Sequence, residues 1–219
     1  MFEEVVGQQA ITQTLQNALD TQQLAQSLLF CGPRGVGKTS CARILAQEIN
    51  SKNRNQSEDF AFNVFELDAA SNNLLEDIRK INEQVRIPPQ VGTHKVYIID
   101  EVHMLSKQAF NALLKTLEEP PEYLKFIFAT TEVNKIPITV LSRCQRFDLS
   151  RIKPEELSEF LAKVAEMEKI DINQDVLNLI SKISEGSVRD ALSLLDRISL
   201  TNNESQEGTI SLELSLIHI

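Results

Sequence analysis

Apolar residues recur along this chain in two rhythms. Short segments rich in aliphatic, aromatic and β-branched residues alternate with longer stretches in which apolar positions return every three or four residues. The short segments, Ser27–Cys31, Asn63–Asp68, Lys95–Asp100, Leu124–Thr130 and Gln145–Leu149, read as strands of a buried parallel sheet. The periodic stretches Val5–Leu24, Lys38–Asn50, Ser71–Ile87 and Lys107–Glu119 read as helices, the first carrying Ile11, Leu15, Ala18 and Leu19 on one face. Ser71 is placed to cap its helix, and Pro88-Pro89 and Pro120-Pro121 stop theirs. After Arg151 the strand signal ends. Three helical patterns follow, Pro154–Lys169, Asn173–Ser184 and Ser187–Leu200, with Pro154 suited to a first helical turn.

The expected fold is α/β: a five-stranded parallel sheet with helices on both faces, followed by a small all-α domain. The expected boundaries are 1–150 for the nucleotide-binding domain, 151–201 for the helical one and 202–219 for a tail. The polar SKNRNQSED over Ser51–Asp59 reads as a surface loop. The closing LSLIHI, Leu214–Ile219, reads as a cloning or sequencing scar and is left out of the fold reading.

Composition narrows the class. With 42% hydrophobic and 24% charged residues the chain can build a packed core. No apolar run reaches the length of a membrane span. The first ten residues carry two acids and no basic stretch, so no secretory signal is expected. Cys31, Cys41 and Cys144 show neither CxxC nor HxxxH spacing nearby, which fits a reducing cytoplasm and predicts no zinc site. The net charge of −9 argues against a chain that grips nucleic acid alone. It leaves room for DNA contact shared among subunits.

The sharpest signal is GPRGVGKT, Gly32–Thr39. It fits G-x-x-x-x-G-K-[ST], a loop whose backbone N–H groups curl around phosphates while the next helix points its positive end at them. Chance produces such a match in about one or two chains per thousand of this length. Gly32, Pro33, Arg34, Gly35, Val36, Gly37, Lys38, Thr39 and Ser40 form the expected cradle. Lys38 is expected to reach the β- and γ-phosphates and Thr39 to offer its hydroxyl to Mg²⁺.

VYIIDE ends an apolar strand in two carboxylates. Asp100 is expected to hold Mg²⁺ through water and Glu101 to orient and activate the attacking water. Alone, such a pair is better read as a solvated turn; the loop about 60 residues upstream reverses the balance. Thr131 closes another strand and can bond the lytic water or the γ-phosphate, although a loop-capping threonine is common. Arg143, in Ser142-Arg143-Cys144, can stabilise a transferring phosphoryl group; in isolation it is a surface arginine. Arg189 falls in the first turn of the last helix, where the dipole disfavours a cation. An anionic ligand would relieve that conflict, and so would an ion pair to Asp190 or Glu185. Spacing leaves these alternatives even.

Taken together these motifs resemble the AAA+ ATPases, and within them the clamp-loader branch. DEVHMLSKQAFNALLKTLEEPPE (100–122), ATTEVNKIP (129–137), LSRCQRF (141–147), GSVRDALSLLD (186–196), VVGQQ (5–9) and ELDAASNN (66–73) look like the γ/τ family of bacterial DNA polymerase III, over roughly residues 2–200. The resemblance implies ATP with Mg²⁺ at the loop, catalytic roles for Lys38 and Glu101, and Mg²⁺ contacts from Thr39 and Asp100. It implies that Thr131 is the first sensor and Arg143 a finger completing a neighbouring subunit's site. Arg189 becomes the second sensor, contacting the γ-phosphate from the helical lid.

The implied partners are delta, delta-prime and further gamma/tau copies, the sliding clamp, and primer-template DNA, with no membrane. ATP binding would open the clamp for loading on primed DNA during replication, and hydrolysis would release it. The family's four-cysteine zinc module has no counterpart in Ile49–Phe62. The family's basic and aromatic lead-in and its collar domain are also missing, so the chain reads as the first two domains of a longer protein. Lys107, Arg79, Lys80 and Arg86 are candidate DNA contacts, each better read as a solvated charge. Rival readings are a non-hydrolysing structural subunit, opposed by Lys38, Thr39 and Glu101, and a branch-migration helicase, which would need a winged domain. A P-loop kinase leaves Arg143 and Arg189 unexplained.

Overall fold

A computed structural model of the chain describes residues 2, 5–51, 63–71, 74–90 and 92–205. The elements run α1 Gln9–Asp20, β1 Ser27–Cys31, α2 Lys38–Ser51, β2 Val64–Asp68, α3 Leu74–Gln84, β3 Lys95–Asp100, α4 Lys107–Glu118, β4 Leu124–Thr130, α5 Ile138–Leu141, β5 Gln145–Asp148, α6 Pro154–Glu168, α7 Gln174–Ile183 and α8 Val188–Ser205. Two 3₁₀ turns, Val102–Met104 and Val133–Lys135, follow β3 and β4. Two compact units emerge. One holds residues 1–3, 10–32 and 38–149; the other holds 4–9, 33–37 and 150–219.

The first unit is a five-stranded sheet in the order β2-β3-β4-β1-β5, every pair parallel. The central strands β1 and β4 are buried along their whole length. Their side chains alternate between two faces. On one face Leu29, Tyr97, Ile99, Phe126 and Phe128 pack with Ile78 and Ile81 of α3 and Phe110, Leu113 and Leu117 of α4. Phe65 stacks on Tyr97 at 4.9 Å between centroids, which extends this face to β2. Each such buried side chain contributes roughly 1.5–3 kcal/mol before entropy is counted. Leu28, Phe30, Ile98 and Ile127 point to the opposite face, where Cys41, Ala42 and Leu45 of α2 are buried. Parallel pairing with β4 between β1 and β3 sends the C-terminal ends of all three out on one side. Gly32, Glu101 and Thr131 leave the sheet there, the side on which parallel α/β sheets bind ligands.

In the second unit α6, α7 and α8 bury Leu157, Leu161, Val176, Leu177, Ile180, Ala191 and Leu195 against one another. Asn173 caps α7, its side chain accepting from Asp175 N at 3.0 Å.

Several bounds differ from expectation, each for a local reason. The first helix does not run Val5–Leu24: Gly7 (φ 69°) precedes it, and Gln22 (φ 57°) ends it with Gln23 N bonded back to Ala18 O at 2.9 Å. Ser71 does not cap α3. It lies in a turn after β2, with Ser71 N on Asp68 O and Ala70 N on Asp68 Oδ1, and the helix starts at Leu74. That helix closes in a tightened turn, with Ile87 N on Gln84 O, so the residues up to Ile87 are not all helical. Lys169 adopts a left-handed conformation (φ 58°) and ends α6 one residue early. Ser51 closes α2 instead of opening a loop, and α8 continues to Ser205. The rest of the expected loop through Asp59, and Leu214–Ile219, lie outside the described residues.

Candidate functional site

The phosphate loop connects β1 to α2. Gly32 has φ 150°, and a Cβ there would meet the Leu149 carbonyl, which itself follows the Leu149 N bond to Cys31 O. Only glycine fits that crossing. Lys38 is buried, and its Nζ donates to Gly32 O at 2.9 Å, across the loop's base. Cys31 adjoins the loop, and burial pushes its thiol pKa up, which favours the neutral thiol. Cys144 is likewise pushed up to about 12 by burial.

Opposite the loop's end, Thr39 Oγ1 donates to Asp100 Oδ2 at 2.6 Å, bringing together two residues 61 positions apart. Asp100 Oδ1 accepts from Glu101 N at 2.8 Å. Among the described residues no three His, Cys, Asp or Glu side chains form a metal-holding group. A divalent cation beside this pair would take its protein oxygens from Thr39 and Asp100. That sparse, hard donor set suits Mg²⁺ when phosphate and water complete its shell.

Glu101 turns the chain sharply, at φ 46° and ψ 44°. Its Oε2 accepts from Thr131 Oγ1 at 3.1 Å and from Thr131 N at 3.3 Å. Sequence reasoning pointed to both residues; the bond between them comes from β3 and β4 being neighbours. The same carboxylate oxygen lies 3.3 Å from His103 Nδ1. Sequence reasoning assigned His103 no role. Its only signal was its place two residues after the acidic pair.

Arg143 follows α5 and is fastened there. Its guanidinium donates to Thr139 O at 2.6 Å and to Glu118 Oε1 at 2.8 Å.

The second unit carries the tip of the loop and Arg189. Gly35 has φ 78°, and a Cβ there would run into Ser187 Oγ. Gly35 O accepts from Val188 N at 2.9 Å, so a loop carbonyl satisfies a free N–H of α8's first turn. Arg189 is exposed, and its guanidinium has neither an ion pair nor a hydrogen bond among the described residues. Glu185 is engaged by Arg151, through its carbonyl and, at 3.7 Å, its carboxylate. The ion pairs that would have explained Arg189 are not formed. Ser40 stands in the first turn of α2, after Lys38 and Thr39.

Among solved structures, the Thermotoga maritima RuvB Holliday junction branch migration motor superimposes with a TM-score of 0.76. It covers 97% of this chain and 68% of that one at 22% identity, a likeness of fold. Fold and loop thus define an AAA+ P-loop protein with a C-terminal helical lid. Residues 7–153 match the family model described as DNA polymerase III, delta subunit, and residues 156–200 match that of the DNA polymerase III clamp loader subunit, ATPase lid domain. The DNA polymerase III subunit tau of Bacillus subtilis is 48% identical over 209 residues, 90% of this chain and 37% of that protein. The gamma/tau subunit of Mycoplasma pneumoniae is 46% identical, covering 96% and 32%. The tau subunit of Escherichia coli is 42% identical, covering 95% and 34%. The chain belongs to the DNA polymerase III gamma/tau family of clamp-loader subunits. It spans about a third of the length of these relatives. Among the described residues no helix is long and apolar enough to cross a membrane.

Proposed function

We propose that the chain is the ATP-hydrolysing motor portion of a DNA polymerase III clamp loader. In this reading it works in the cytoplasm with delta, delta-prime and further gamma/tau copies. ATP binding opens the sliding clamp for loading on primer-template DNA, and hydrolysis releases it. The observation that carries the reading is the pairing of Thr39 with Asp100 at 2.6 Å and of Glu101 with Thr131 at 3.1 Å, where the strands end beside the loop.

The loop Gly32–Thr39, with Ser40, receives the phosphates through backbone N–H groups, and Lys38 meets the β- and γ-phosphates. Thr39 and Asp100 would hold Mg²⁺, which when bound neutralises phosphate charge. Glu101 accepts a proton from water as the water oxygen bonds to the γ-phosphorus and the bond to ADP breaks. Thr131 orients Glu101 and the water. Arg143 acts on the ATP of a neighbouring copy, and its ties to Glu118 and Thr139 must loosen for it to do so. Arg189 contacts the γ-phosphate, a role supported by its lack of any anionic partner among the described residues.

Glu101→Gln tests this in the full-length protein. ATP affinity is expected to stay within about threefold while turnover falls roughly 10²–10⁴-fold. Near-normal turnover would overturn the assignment. Arg143→Ala is expected to leave this subunit's own ATP binding intact and to slow hydrolysis in the assembled loader by about 10³-fold or more. Unchanged hydrolysis there removes Arg143 from the mechanism.

A further inference from the structure

His103 is a buried imidazole inside a polar cluster. Its side chain is 7% exposed. The 3₁₀ turn Val102–Met104 puts it there: Val102 and Leu105 are sunk in the core on either side, and Met104 N bonds to Glu101 O at 2.8 Å. Its Nδ1 lies 3.0 Å from Thr130 Oγ1 and 3.3 Å from Glu101 Oε2. Its Nε2 lies 3.5 Å from Glu132 Oε1, an oxygen that also accepts from Lys135 Nζ at 2.7 Å. Thr130 Oγ1 in turn accepts from Glu132 N at 3.0 Å.

The arrangement is unequal at Glu101. Three groups converge on one oxygen, Oε2: Thr131 N, Thr131 Oγ1 and His103 Nδ1. Among the described residues Oε1 has no partner. A carboxylate gripped by one oxygen is fixed in rotation, and its second oxygen is left to take a proton. The two hydrogen bonds from Thr131 reach a charged group, the stronger kind, and set its orientation, while His103 Nδ1, hydrogen-bonded to Thr130 Oγ1, stands against the same oxygen at 3.3 Å.

We propose that His103 is a positioning residue for the hydrolytic reaction. Its Nδ1, with Thr131, anchors Oε2 of Glu101 and leaves Oε1 as the oxygen that accepts the proton of the attacking water. This rests on the reading of Glu101 as the group that activates water. His103 touches no substrate in this scheme and acts only through Glu101.

The test uses amides that mimic one ring nitrogen each, in the full-length protein within the assembled loader. Asparagine places its amide nitrogen near the position of Nδ1; glutamine places its own near Nε2. His103→Gln is expected to lower single-turnover ATP hydrolysis roughly 10- to 100-fold, the range for losing a bond to a charged group. ATP affinity and melting midpoint should stay close to wild type. His103→Asn should recover most of the rate. In a Glu101→Gln background, His103→Gln should change the residual rate by less than about twofold, because coupled residues do not add. Normal hydrolysis in His103→Gln, with Glu101→Gln inactive, overturns this inference and leaves the proposed function standing. Equal loss in the Asn and Gln variants also overturns it, since that pattern reports packing and not the Nδ1 contact. Full turnover in Glu101→Gln overturns the reading on which it rests. If the Gln variant melts early, His103→Asn decides alone: a rate near wild type supports the inference, and a collapsed rate at normal ATP affinity overturns it.

Discussion

Glu101 combines a strained backbone with the role proposed for it in hydrolysis. A left-handed backbone costs a side-chain-bearing residue about 1–2 kcal/mol, and Glu101 sits in it at φ 46° and ψ 44°. Strain of this kind persists where the surroundings over-determine it, often at sites of function. Removing the carboxylate should lower turnover steeply whatever replaces it, so stability is the readout for the backbone. Glu101→Gly is expected to be more stable than Glu101→Ala by about 0.5–1 kcal/mol, after the extra freedom of glycine in the unfolded chain is deducted. Urea denaturation of the pair reads this directly, and an alanine variant as stable as the glycine one would sink the claim of strain. A second residue carries a pH signature. Burial, and then the nearby Lys125 charge, hold the His94 pKa below its ordinary 6.5. The unfolded chain then binds this proton more readily than the folded one, so stability rises with pH across the window that ends at 6.5. Folding stability should decline as the solution is acidified through that window, and His94→Asn should remove part of the slope. An identical slope in the variant would show that His94 is not its source.

At the scale of elements, what was legible in the sequence depended on where the forces are local. The strands Ser27–Cys31, Lys95–Asp100 and Leu124–Thr130 match expectation to the residue; the first and third are buried throughout and the second at all but its two end residues, so a dense apolar run marks each one. Helix ends were less readable. Gln22 and Lys169 take the left-handed conformations that stop α1 and α6, and neither is the glycine that usually announces such a stop. Asp68 claims two backbone N–H groups for a turn, which pushes the start of α3 beyond Ser71. Motif spacing pointed to individual candidate residues, whereas it gave no hint of the Glu101–His103–Thr130–Glu132 cluster. It forms because a three-residue 3₁₀ turn meets the end of a strand about 30 positions away, and no period in the sequence encodes that meeting. Asn173, expected only as the first residue of its helix, caps that helix instead. Asn173→Ala is expected to cost about 1 kcal/mol by loss of the bond to Asp175 N. Hydrogen exchange should show it as faster opening of the first turn of α7. Unchanged exchange there would mean that the helix packing, and not the cap, sets the opening.

At the scale of the whole chain the decisive quantity is charge. The 219 residues carry 31 acids against 22 Lys and Arg, a net −9. Binding to DNA is driven mainly by release of counterions as cations meet phosphates, and an acidic chain has to overcome its own repulsion first. Of the four cations considered as DNA contacts, Lys80 is already 3.3 Å from Asp77. Arg79, Arg86 and Lys107 are exposed and have no ion pair among the described residues. With these three as the contacts, at about 0.9 per phosphate, log affinity against log salt should slope by roughly −3. The chain alone is therefore expected to leave a primed duplex unshifted at about 150 mM salt and to bind only weakly and shallowly below it. Within a full loader the slope should steepen, because several copies and other subunits would add their contacts to one track of phosphates. Titrating the isolated chain onto fluorescent primed DNA at a series of salt concentrations measures the slope directly. A value near −6 or steeper for the chain alone would reveal a basic track that these residues do not account for, and would move DNA recognition from the assembly to the single subunit.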